Sequence, residues 1–165
     1  MIKISFQDFT LNFCPPTSNE IGFLPKNGTS NILSKVYQKQ SIEIEIDLIK
    51  NKIYYPNIKN NFNGFYIDRE TSCNLNNEEN YSVLECIDAL LNIGYNPQNI
   101  TIEKAFSSGR GDTFLDILVK YPNDYHYKEK QAKTYMMIEV KNSEEYEKTI
   151  KDSVKVKNNG EPKSQ

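Results

Sequence analysis

Glu139 and Lys141 close the stretch TYMMIEVKNS, residues 134–143, and they pose a chemical problem. Side chains on a β-strand alternate faces, so Thr134, Met136, Ile138 and Val140 share one side while Tyr135, Met137, Glu139 and Lys141 share the other. The first side is core. The second ends in an acid and a base about 6 to 7 Å apart along the strand, where burying either charge alone is costly. Asp116, in TFLDILVKY, raises the same question. Phe114 and Leu118 share its face and Leu115, Ile117 and Val119 line the other, so the strand is apolar on both sides and reads as interior. A lone carboxylate there needs a partner or stays protonated.

The connection over residues 122–133 is long for a tight hairpin and short for a helical crossover. The strands of Asp116 and Glu139 are therefore expected to pair antiparallel as neighbours, with facing Cβ atoms about 4.5 to 5.5 Å apart. Two carboxylates that close repel unless a cation lies between them. A hard oxygen set with positions left for water and phosphate suits Mg²⁺, with Mn²⁺ as a substitute. The expected ligands are Asp116 and Glu139, with the Val140 carbonyl as a further one. Lys141 would hold a water or the charge that develops on phosphorus, and the reaction class is hydrolysis of a phosphodiester. An E-x-K on a strand is by itself ordinary surface decoration; the interior Asp116 gives it weight. His126 has no Ser or Cys pattern beside it, and a histidine-based nucleophile has no support.

The elements that must position these residues lie mostly in the second half. NYSVLECIDALLNIGY sets Val83, Ile87, Leu90 and Leu91 at helical spacing, with Asn80 as the expected N-cap and Gly94 as terminator. NITIEKAFSS reads as a strand, SSGRGD as a glycine turn, and SEEYEKTIKDSVKVK as a second amphipathic helix. The predicted order is helix, strand, strand, strand, helix. Upstream, SIEIEIDLIKNKIYYP alternates strictly: Ile42, Ile44, Ile46 and Leu48 point one way and Glu43, Glu45 and Asp47 the other, with a reversal at residues 50–52. That is a hairpin with one wet face. Residues 1–40 read as a loop-rich arm, and an Asn-rich connector with a short strand near residues 65–67 follows the hairpin. The expected division is an N-terminal arm and β-hairpin extension over residues 1–78, packed on a core over 79–165.

The totals set limits on partners. The chain of 165 residues is 38% hydrophobic and 12% aromatic, enough for one core, and its net charge of −2 gives no global cationic field for nucleic acid. Cys14, Cys73 and Cys86 form no C-x-x-C pair, which speaks against a disulfide framework and a zinc site and favours a reducing, cytoplasmic location. No segment approaches the roughly 18 apolar residues of a membrane span.

In that order, the helix carrying Glu85, the turn GRGD, FLDILV and MMIEVK resemble the PD-(D/E)XK nuclease superfamily. More narrowly, IEIEIDLIKNKIYYP, VLECIDALLNIGYNPQNITIE, GRGDTFLDILV and MMIEVKNSEEYEK together look like the N-terminal nuclease domain of type I restriction enzyme R subunits and of related fused restriction-methylation enzymes. The resemblance implies an α/β (α+β) restriction-endonuclease-like core, with a mixed central sheet flanked by helices. It implies Mg²⁺-dependent cleavage of double-stranded DNA, and it adds Glu85 to the acidic cluster, a role that spacing alone does not give. Two departures stand out. Leu115 replaces the leading proline of the motif, and the Q-x-x-x-Y motif after E-x-K is represented only by Gln165 at the end of the chain. The expectation is a fragment of a longer enzyme, whose further domains or subunits carry any need for ATP or S-adenosylmethionine. Arg110 in the glycine turn, Lys148 and Gln165 are the candidate DNA contacts. A non-catalytic module with the same fold, docking DNA or subunits, is the alternative.

Overall fold

The strict alternation after Ser41 decides which way the first sheet faces. The computed structural model describes residues 22–108, 111–121 and 134–141. Strand β3 (Ile42–Asp47) buries Ile42, Ile44 and Ile46 and leaves Glu43 and Glu45 half exposed, where Lys26 Nζ pairs with both carboxylates. Asp47 Oδ1 accepts the N–H groups of Ile49 at 3.0 Å and Lys50 at 2.9 Å, closing the turn into β4 (Lys52–Tyr54). The expected hairpin is present. On its other edge stand β2 (Ile32–Tyr37) and the short β1 (Leu24–Pro25), giving an antiparallel sheet in the order β1-β2-β3-β4. The reading of residues 1–40 as a loop-rich arm is thereby corrected at 32–37. The inward row of β2 is Leu33, Lys35 and Tyr37, and a lysine in that row hides the alternation that marks a strand.

Helix α1 (Glu78–Ile93) begins at Asn77, whose side chain accepts the Glu79 N–H at 3.2 Å, and Glu78 and Glu79 sit favourably at the positive end of its dipole. Asn80, expected as the cap, is instead buried in the first turn. Its amide donates to the carbonyls of Thr71 at 3.0 Å and Asn74 at 2.8 Å, so a capping-type residue here ties the helix to the preceding loop. Gly94 ends the helix with φ +107°, and its N–H reaches the Leu90 and Leu91 carbonyls.

The second sheet has the order β5-β6-β7-β8, formed by β5 (Tyr66–Ile67), β6 (Ile100–Ser108), β7 (Gly111–Lys120) and β8 (Thr134–Ile138). β5 runs parallel to β6 and the other pairs are antiparallel, so the sheet is mixed. Leu33, Ile44 and Ile46 of the first sheet, Leu84, Ile87 and Leu91 of α1, and Ile100, Ile102, Ile117 and Val119 of the second form one continuous buried cluster. The architecture is α+β, with two sheets and, among the described residues, one α-helix. No helix among them is long and apolar enough to cross a membrane. The start of the arm, the glycine turn at 109–110, the loop 122–133 with His126, and the second helix expected after 142 lie outside the described residues.

Candidate acidic site at the end of strand β8

Asp116 lies on β7, which pairs with β6 on one side and β8 on the other. The β7–β8 register matches Val119 with Met136, Leu118 with Met137 and Ile117 with Ile138. The ladder ends at the Ile117–Ile138 pair, so Asp116 and Glu139 each lie one residue beyond it. Glu139 is close enough for its charge to raise the Asp116 carboxyl. The Val140 N–H donates to Asp116 Oδ2 at 2.6 Å, and Val140 itself is buried in the core. That bond fixes the chain as it leaves the ladder. Lys141 Nζ is 2.7 Å from Glu139 Oε1, with both side chains substantially exposed, an ion pair contributing at most about 1 kcal/mol to stability.

Burial pushes the Asp116 carboxyl above its usual range. The Val140 N–H opposes the shift, the charges of Glu139 and Glu103 add to it, and Lys141 again opposes. Asp116 is thus a half-buried acid with two other carboxylates in electrostatic reach. Glu85 sits half-buried on α1, and its tie to this group is indirect: burial raises the pKa of the neighbouring Cys86 thiol, and the charges of Glu85 and of Asp116 raise it further. Arg110, Lys148 and Gln165 lie outside the described residues.

No family model, characterised protein or solved structure matches this chain. The chemistry open to it is therefore argued from the residues alone. Among the described residues, no group of three Asp, Glu, His or Cys side chains is arranged to hold a metal ion. Asp116 and Glu139 supply two carboxylates, and Mg²⁺ takes one or two of these and fills its other positions with water and phosphate. The donor set fits a hard, partly hydrated cation. It does not fit zinc, which prefers nitrogen and sulfur.

Glu103 is the residue that sequence reasoning missed. It lies on β6 between the matched pairs Ile102–Ile117 and Lys104–Leu115, and so stands opposite Asp116 from the other side. It is 7% exposed, accepts a hydrogen bond from the Ser72 hydroxyl, and adopts φ +52° in mid-strand. A left-handed glutamate inside a strand costs on the order of 1 to 3 kcal/mol and persists only where its surroundings hold it. The signal was available in principle: an acid between Ile102 and Lys104, on a strand one hairpin turn from Asp116. Glu103 and Asp116 thus lie on adjacent strands and Glu139 just after β8, and the charges of Glu103 and Glu139 both act on Asp116.

Proposed function

We propose that this chain is the Mg²⁺-dependent endonuclease domain of a DNA restriction-modification enzyme, built on a restriction-endonuclease-like core and hydrolysing DNA phosphodiester bonds. The observation that carries the reading is the Val140 N–H bound to the Asp116 carboxylate, which holds the segment after β8 against β7 with the Glu139 charge close enough to raise the Asp116 carboxyl and with Lys141 beside Glu139. Asp116 and Glu139 would hold the ion, with Glu85 and the Val140 carbonyl as further ligands. A bound Mg²⁺ supplies Lewis-acid polarisation of the phosphate and a more acidic water. Lys141 would orient the attacking water and offset negative charge that grows on the phosphoryl oxygens. Val140 keeps the Asp116 carboxylate in place through its N–H.

The test is cleavage of supercoiled plasmid with Mg²⁺ or Mn²⁺, comparing the parent with Asp116→Asn and Lys141→Ala. Each substitution should reduce cleavage at least a hundredfold while leaving the thermal melt within a few degrees. Undiminished cleavage by Asp116→Asn would sink the assignment. The second reading is a non-catalytic module that docks DNA or partner subunits. That module would bind DNA equally well with and without the Asp116 carboxylate and would show no metal-dependent hydrolysis.

A further inference from the structure

Four residues before Glu139 on β8, and four after Asp116 on β7, the same two strands reach a second feature. Tyr135 and Tyr121, with Tyr95 and Asn96 from the connector after α1, Asn99 and Lys120, line a cleft of about 540 Å³. The Tyr121 and Tyr135 rings meet edge to face, centroids 4.9 Å apart at 73°, and Tyr95 lies 6.1 Å from Tyr135. Half of Tyr135 is open to solvent (50% exposed). The Lys120 ammonium points the other way, 5.7 Å above the ring of Tyr66 on β5, the opposite edge strand from β8.

We infer that this cleft receives one unpaired nucleotide of the nucleic-acid strand on which the acidic site acts; the inference rests on the nuclease reading above. An exposed aromatic ring offers a flat apolar face to any base, and the Asn96 and Asn99 amides offer donors and acceptors to its edge. The volume admits a base and its sugar. Four strand residues span about 13 Å, which is about four stacked nucleotide steps at ~3.4 Å each. A strand whose phosphate lies at Asp116 and Glu139 can therefore place a nearby base among the tyrosines. A local site of this kind also fits a chain whose net charge is −2 and whose long-range field cannot hold DNA.

The experiment titrates a single-stranded 12-mer carrying 2-aminopurine with the full chain in EDTA, following anisotropy for binding and fluorescence quenching for stacking. The parent chain should bind and quench. Tyr135→Ala should weaken binding about tenfold and abolish quenching, and Tyr135→Phe should keep both. The inference is overturned if the parent neither binds nor quenches, or if Tyr135→Ala behaves as the parent does. It is overturned equally if free dAMP competes at the same concentration as the oligonucleotide, since the ligand is then a free nucleotide and not a strand. EDTA suppresses cleavage, so failure here leaves the Asp116 test standing, and failure of that test leaves this one readable.

Discussion

Removing the Asp88 carboxylate should be the most damaging single change to the folded chain outside its apolar core. Asp88 lies on the buried face of α1, 8% exposed, and its carboxylate joins that helix to the first sheet. Lys35 Nζ is 2.7 Å from Asp88 Oδ1, the Tyr37 hydroxyl donates to the same oxygen, and Asn92 Nδ2 donates to Oδ2 at 3.1 Å. The Lys35 side chain is only 7% exposed, so Asp88→Ala leaves an ammonium that water barely reaches. Breaking one side of a buried pair costs about 3 to 5 kcal/mol, because the remaining charge stays desolvated without compensation. Lys35→Met should cost less, about 1 to 2 kcal/mol, since Asp88 keeps hydrogen bonds from Tyr37 and Asn92. Combining Lys35→Met with Asp88→Asn removes both charges and should recover part of the Asp88→Ala loss. Urea titration followed by circular dichroism reads these effects. With a slope of about 2 kcal/mol per molar, Asp88→Ala should move the midpoint down by about 1.5 to 2.5 M. A shift below about 0.3 M at unchanged slope would refute the claim that this pair joins helix and sheet.

Other perturbations test other parts of the structure. Burial, with the nearby charge of Glu70, pushes the Cys73 thiol up to about 11; at pH 8 its thiolate fraction is about a hundredth of that of a thiol near 9, so iodoacetamide should label it at least a hundredfold faster in urea than in the folded chain, read by peptide mass spectrometry. Burial alone would raise the Asp47 carboxyl, but the N–H groups and ammonium it holds lower it below its usual 3.8. Its contribution is therefore complete above about pH 5 and disappears as acid titrates it, so the stability gap between parent and Asp47→Asn should close as the pH falls from about 5 to about 2. At Gly64 an added Cβ would lie 2.7 Å from the Asn57 carbonyl carbon and 2.8 Å from the Ile58 nitrogen, backbone that cannot turn aside; Gly64→Ala should cost about 2 kcal/mol or more by urea titration. Glu103→Gln keeps an acceptor for Ser72 and removes one of the charges that raise Asp116, so carboxyl ¹³C titration should find the Asp116 pKa lower than in the parent.

What could be read in advance followed the strength of the local pattern. The hairpin over β3 and β4 and the helix ending at Gly94 rest on a periodicity or a stop signal, and the antiparallel pairing of β7 with β8 on the length of the connection between them; tertiary structure overrode none of these. β2 was illegible because Lys35 sits in its inward row, and its reason for being there, Asp88, lies 53 positions away on α1. Asn80 was misread for a related cause. Its amide is spent on loop carbonyls brought near by the Thr71–Cys73 turn, while Asn77 three residues earlier caps the helix. Glu103 escaped because acids in strands are usually solvated, and only the pairing with β7 reveals that this one is buried.

The Asp116 carboxylate also explains why β8 stops where it does. Pairing ends at Ile138, one residue before continued pairing would set Glu139 firmly beside Asp116 within the ladder. Instead the Val140 N–H turns to the Asp116 carboxylate, and Val140 packs into the core. A side chain thus takes the place of a backbone carbonyl as acceptor. The exchange leaves Glu139 and Lys141 on an exposed segment, while Asp116 and Glu103 lie within the sheet, Asp116 half-buried and Glu103 buried.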